Sequence, residues 1–330
     1  MNKVKAFLMK LGPLLALVIL SIVLSFASDN FLTVNNMMNI LRQTAVNSLI
    51  ASGMLIVLIT AGIDLSVGAN AILATTVMGA VMTRVGIGNP YVLIIVGILT
   101  GTLVGFANGV LLTRLELPHP FVSTLGMKNI LSGLALLVVA TKTIGNFPEE
   151  VMVLGSANVF KFGKFSGFPL SFIVVLLIFV LFHLMLNRTA FGRKIYMVGG
   201  NGEAARLSGI NSKNILTLVY TISGFMTSLA GIVIIGRTGT ANPASAVYPY
   251  DTDAIAACII GGASFSGGKG TIWGTLIGAL LITVIRNGLT LLSAQSDVQY
   301  VVIGAVIIVA VYIDVVRNKA EAKARRLAAN

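Results

Sequence analysis

The run "FIVVLLIFVLFHLML" (Phe172–Leu186) and the run "LTLVYTISGFMTSLAGIVIIG" (Leu216–Gly236) flank the polar stretch "GGNGEAARLSGIN" (Gly199–Asn211). Each apolar run approaches the ~20 residues that a helix needs to cross a hydrocarbon core. Working outward, similar runs recur along the chain, and composition agrees. Of the 330 residues 56% are hydrophobic and 10% charged, where soluble domains carry roughly a quarter charged residues. The short alternating segments of a β-barrel are missing. The fold class is therefore all-α, a polytopic helical membrane protein.

Ten segments are expected: residues 12–28, 44–61, 68–83, 91–112, 121–140, 169–186, 214–236, 254–266, 271–292 and 300–316. The short 254–266 crosses fully or re-enters, which leaves eight spans as the alternative. The lysine-rich start (Lys3, Lys5, Lys10) lacks a good cleavage pattern and reads as an uncleaved first helix. With both termini in the cytoplasm, fifteen Lys and Arg fall on cytoplasmic segments and six outside. That bias is the positive-inside asymmetry, and it accounts for the net charge of +12 without nucleic acid. Residues 187–213 become a cytoplasmic loop and 317–330 a basic cytoplasmic tail. Residues 141–168 and 237–254 become external loops, and 1–330 forms one transmembrane domain.

Chemistry is sparse. One cysteine, Cys258, excludes an internal disulfide, and His119 and His183 form no ligand motif, so no metal site is expected. "SGGKGT" (Ser266–Thr271) fails as a phosphate-binding loop, since Ala263 stands at the first glycine position and Gly270 follows Lys269. Charges within spans are few: Asp64, Lys128, Arg286 and Asp314. The scarcity of deep acids argues against an ion-coupled carrier. Neither a nucleophile–base pair nor a paired-carboxylate cluster supports an enzyme.

"ITAGIDLSVGANAILATTVMGAV" (residues 59–81) and "IIGGASFSGGKGTIWGTLIGALL" (residues 259–281) align at a constant offset of 200. Both read as helix, Gly- and Ser-rich break, helix. Interrupted helices of this kind line transport pathways, so Gly62, Asp64, Ser66, Gly68, Gly262, Ser266 and Gly268 are candidate gating positions. Asn47, Ser52, Asn70 and Asn287 suit a route for a neutral, hydroxyl-rich solute and suit interhelical hydrogen bonds equally well. "GILTGTLVGFANGVLL" has the small-xxx-small spacing of close helix packing.

The polar stretch itself reads as a short helix beginning near Asn201, with Glu203 at its positive end and Gly209 stopping it. Basic residues surround it, as expected of a docking knob. Glu203-Ala204-Ala205 followed by Gly209 resembles the coupling motif of permease subunits in ATP-binding-cassette importers. The Leu-Pro that better-known members carry further on is absent from "VYTI" (Val219–Ile222). "NILRQTAVNSLIASGMLIVLITAGIDLSVG" (Asn39–Gly68), "LPHPFVSTLG" (Leu117–Gly126), "GRKIYMVGGNGEAARLSGI" (Gly192–Ile210) and "AIAACIIGGASFSGGKGTIWGTLIGAL" (Ala254–Leu280) sharpen the likeness to the ribose/xylose/galactose-type sugar permeases.

The resemblance implies a bacterial inner-membrane importer subunit that passes a simple sugar. Glu203, Ala204, Ala205, Arg206 and Gly209 would contact a separate cytoplasmic ATPase, which alone binds ATP and Mg. It also implies an extracytoplasmic sugar-binding protein and a second permease copy, with Phe121 of the Leu117–Gly126 motif near the route. A nucleoside or branched-chain amino acid as solute, or a stand-alone secondary carrier, remain the alternatives.

Overall fold

A computed structural model describes residues 3–329 apart from 116, 118 and 164, with side chains placed from residue 12 to 316 except at those positions and 296. The side chains of Lys3, Lys5, Lys10 and the basic tail lie outside that set. Helices α1 (Lys3–Ala27), α2 (Val34–Ile59), α3 (Val67–Ala80), α4 (Pro90–Arg114) and α5 (Pro120–Val138) come first. A short α6 (Glu149–Ser156) and the two-residue strands β1 (Asn158–Val159) and β2 (Phe168–Pro169) follow. Then come α7 (Leu170–Arg188), α8 (Ala190–Gly200), α9 (Gly202–Leu207), α10 (Ser212–Thr238), α11 (Tyr250–Ile260), α12 (Ile272–Leu291) and α13 (Ser296–Ala329).

Each expected segment holds a helix, but among the described residues seven helices are long and apolar enough to cross a membrane: α2, α4, α5, α7, α10, α12 and α13. The apolar part of α1, Gly12–Ala27, is shorter. Helix α3 has 14 residues and continues into a π-helical turn, Val81–Val85. With 11 residues, α11 is about 16 Å long at 1.5 Å per residue, roughly half the ~30 Å core. It does not cross as a helix. Residues 250–254, expected in an external loop, are its first turn. The physical reason is that Tyr250, Asp251 and Asp253 find partners inside the protein, so a polar "YDTD" can begin a buried helix.

The long helices sort by burial. In α2, 83% of the apolar window is buried, and in α10 and α12 72%, against 22% in α4 and α5 and 11% in α13. The first three form the hub, and the others show broad apolar faces suited to lipid. Without lipid–water contrast to drive helices together, close approach and internal hydrogen bonds decide such packing. Gly101, Gly105 and Gly109 line one stripe of α4 against α10. A methyl added at Gly105 would stand 2.8 Å from Gly224 Cα, and one at Gly109 2.8 Å from Thr217 Cα. Asn47 Nδ2 of α2 donates to Thr283 Oγ1 of α12 (3.1 Å). Asn36 and Asn287 exchange amide hydrogen bonds at 3.0 and 2.8 Å. These pairings make α12 antiparallel to α2 and place Leu55 and Ile59 at the α12 start, near Gly270.

Helix ends carry their own signals. Asn89 caps α4, Asn211 caps α10 and Thr271 caps α12, each accepting from a first-turn amide, which replaces donors that have no partner in a helix. We expect Gly105→Ala to destabilise the protein by about 1–3 kcal/mol through overpacking. Gly133→Ala, where nothing lies within 4 Å, should be neutral or stabilising. Thermal unfolding of the two variants in detergent compares them.

Candidate functional site

Two features stand out inside the bundle: a backbone junction beneath α9 and a buried charge network along α11. Helix α9 forms as its residues dictate. Asn201 Oδ1 accepts from Ala204 N (3.0 Å), Glu203 stands in the first turn, and Gly209, at φ +75°, ends it with Ile210 N donating to Ala205 O (3.0 Å). Glu203 and Arg206 form an exposed ion pair at 2.6 Å. The Arg206 guanidinium holds the Glu203 carboxyl below its ordinary value. The two alanines divide: Ala205 is fully buried and Ala204 exposed, with Leu207 projecting 73% exposed from a polar loop. The outward surface is thus Glu203, Ala204, Arg206 and Leu207, while Ala205 anchors the helix.

Immediately before α9, the end of α8 is pressed onto both Gly-rich breaks. A methyl on Gly199 would overlap Ile59 O at the end of α2. One on Gly268 would lie 2.8 Å from Gly200 Cα, and one on Gly267 2.6 Å from Gly199 O. Gly268 N donates to Ile59 O (2.8 Å), and Tyr196 Oη to Gly270 O (2.8 Å). The offset-200 segments therefore touch each other and α8 through main chain. Their matched glycines are in different states: Gly268 is left-handed (φ +69°), whereas Gly68 sits in the first turn of α3 against Tyr250. Gly262 is left-handed too (φ +93°), and Gly62 lies under the Tyr220 hydroxyl.

The first break is held by polar contacts. Ile63 O accepts from Tyr220 Oη (3.1 Å) and Thr124 Oγ1 (3.3 Å). Asp64 Oδ1 accepts from Ser66 N (3.0 Å) and Ser66 Oγ (2.6 Å), and Asn108 Nδ2 donates to Ser66 Oγ (2.8 Å). Asp64 fixes the turn rather than capping the α3 amides. In the second break Ser266 N donates to Ser264 Oγ (3.2 Å). Asn70 Nδ2 donates to Gly101 O and Ser52 Oγ to Leu49 O, so Asn47, Ser52, Asn70 and Asn287 are all buried and hydrogen-bonded, whereas Phe121 is 44% exposed.

Sequence reasoning missed the acids of α11. Lys128 Nζ of α5 donates to Asp251 Oδ2 (2.6 Å), and Arg286 of α12 grips Asp253 with Nε and Nη2, both at 2.7 Å. Asp251, Asp253 and Arg286 are buried. Arg286 also stands 5.0 Å over the Tyr248 ring. A usable signal existed: two bases within spans require two acids, and "YDTDA" supplies them at positions two apart. Asp314 accepts from Ser264 Oγ (3.4 Å); the side chain of Arg317, with which it could pair, lies outside the described residues. Among the described residues no group of His, Cys, Asp and Glu could hold a metal ion.

A buried pair stripped of one partner leaves an uncompensated charge and costs about 3–5 kcal/mol. Arg286→Met should show a loss of that size in thermal unfolding, and Arg286→Met with Asp253→Asn should regain most of it.

The chain as a whole is similar to known membrane permeases. The family model described as "Branched-chain amino acid transport system / permease component" matches residues 36–311. The chain is 41% identical over 306 residues to the ribose import permease protein RbsC of Bacillus subtilis, covering 92% of each chain. It is 41% identical to RbsC of Escherichia coli K12 (94% of this chain, 95% of the relative). Against the fructose import permease protein FrcC of Rhizobium meliloti it is 37% identical, covering 92% of this chain and 84% of the relative. No solved structure matches. A multi-pass helical bundle matched over residues 36–311 and by full-length permease relatives belongs to the branched-chain amino acid transport system permease-component family.

Proposed function

We propose that this chain is the membrane-spanning subunit of an ATP-driven importer for a simple sugar, driven from the cytoplasm by a separate ATPase that docks on α9. The observation that carries the reading is the exposed α9 joined by main chain to both Gly-rich breaks. The sugar class rests on the ribose and fructose import permeases at about 40% identity. Membership of a permease family makes the chain a transport component and not an enzyme.

In mechanism, Glu203, Ala204, Arg206, Leu207 and Gly209 form the contact for a cytoplasmic ATPase, and the bundle end carrying α8 and α9 faces the cytoplasm. Glu203 pairs with Arg206 above the ordinary Glu range, and the pairing fades only as pH falls through the lowered value of its carboxyl. The knob therefore keeps its charge pattern at neutral pH. ATP and Mg would be held by the ATPase. When ATP draws two ATPases together, α9 moves with α8, and α8 carries Ile59 and Gly268 with it. The breaks at Gly62–Gly68 and Gly262–Gly268 then let α3 and α12 tilt against α2. A solute-binding protein outside, a second permease copy and a bacterial inner membrane complete the assembly. Asn47, Ser52, Asn70, Phe121 and Asn287 are proposed to face the route in another transport state, since in this one the four polar residues are bonded internally.

The ion pairs of α11 supply the charges that a zwitterionic solute would need, which gives an amino-acid permease a physical basis as the second reading. The Arg286–Asp253 pair uses both carboxylate oxygens, and Lys128 pairs with Asp251 Oδ2 while Asp251 Oδ1 is left a buried acceptor. Neither pair leaves an unpaired cation to hold a carboxylate, which favours a neutral, hydroxyl-donating solute. Uptake in proteoliposomes with the cognate ATPase and binding protein decides between them: D-ribose, D-fructose or D-allose should accumulate with ATP, and L-leucine should not. Accumulation of L-leucine alone would overturn the sugar reading. Gly209→Glu forces a side chain into left-handed backbone at an open surface, at a cost of about 1–2 kcal/mol, and places an acid on the knob. The variant should remain in the membrane, lose the ATPase in a mild-detergent pull-down, and lose uptake.

A further inference from the structure

Beside the Arg286 end of α12, away from α9, lies an open-mouthed cavity of about 260 Å³ lined by Asn242, Ser245, Val247, Tyr248, Tyr250 and Tyr300. Helix α12 runs 20 residues from the backbone junction, about 30 Å, so the cavity and the α9 knob sit on opposite faces. Its volume falls just below the ~300–1,000 Å³ of drug-sized sites, which suits a ligand of one ring. Tyr248 and Tyr250 stand with ring centroids 4.4 Å apart, and Tyr300 adds a third phenol from α13. The 3-10 turn Pro243–Val247 is set by Asn242, whose Oδ1 accepts from Ala244 N (3.0 Å). That leaves the Asn242 amide NH₂ as a donor at the cavity edge.

We propose that this cavity is an entry subsite for a neutral monosaccharide, with the exposed Tyr300 ring packing against its C–H surface and the phenols, Asn242 and Ser245 meeting its hydroxyls. Aromatic side chains that are apolar on the face and polar at the tip match such a ligand. Charge argues against an anionic ligand: Arg286, which lies over Tyr248, is occupied by Asp253, and Asp251 beside Tyr250 pairs with Lys128 through Oδ2, its buried Oδ1 remaining an acceptor. The floor of the subsite also touches the first break, because Tyr250 Cβ lies 3.2 Å from where a methyl on Gly68 would be. Occupancy is thus placed next to a segment that must move. The ligand class rests on the sugar reading; the cavity does not.

The test places a cysteine at the rim, Ser245→Cys, in the full chain assembled with its ATPase in native membranes. Cys258 is fully buried and stays in place. The rate of labelling by N-ethylmaleimide is measured with D-ribose, D-fructose or L-leucine at about 50 mM, high enough to occupy a weak site by mass action. At least one sugar should slow labelling about threefold or more, L-leucine should not, and Tyr300→Ala should remove the protection. Asn242→Ala, at an exposed turn, should weaken it as a second variant. Equal rates with every solute, or protection by L-leucine alone, would overturn the proposal. Sugar uptake without protection would sink the subsite and leave the importer; protection without uptake would do the reverse.

Discussion

The contact on which the rest depends is the main-chain junction of Gly199 and Gly200 with Ile59, Gly267 and Gly268. Five residues from three separate stretches meet there with no side chain between them. Interiors packed without voids transmit displacement because they cannot absorb it. A helix lying on the surface would otherwise be a poor lever, since a side chain in the gap could change rotamer and dissipate the movement. Bare backbone removes that freedom, and the hydrogen bond from Gly268 N to Ile59 O ties the two breaks to each other as well as to α8.

The same economy shapes the interior. Helices α2, α10 and α12 approach through Gly, Ser, Thr and Asn, and asparagines pair across α2 and α12. In a membrane such pairs act by specificity as much as by energy, since an unpaired amide has no water to turn to. The two ion pairs extend this to charge. By fastening the half-length α11 to α5 and α12, they hold a helix too short to anchor itself in the bilayer.

Much of the fold was legible. Runs such as Phe172–Leu186 announce their helices, and Asn201, Glu203 and Gly209 mark α9 at both ends. The Gly-rich breaks were visible as a repeat. What the sequence hid depends on distance along the chain. "YDTDA" looks like loop because nothing local shows that Lys128 and Arg286 lie 123 and 33 residues away from the aspartates they meet. Ala205 turns inward and Leu207 outward for a similar reason: the six-residue α9 takes its orientation from α8 and α10. The three tyrosines of the cavity come from two distant segments, so no local pattern joins them.

The account stands most directly on Gly199. The measurement is ATP hydrolysis and sugar uptake on one preparation of the assembled importer carrying Gly199→Ala. A methyl there drives α8 off Ile59 while leaving the exposed face of α9 unchanged. Retained ATPase binding and hydrolysis with uptake lost is the predicted result. Sugar accumulated per ATP at the wild-type ratio would contradict the account, because motion would then reach the breaks without passing through this junction.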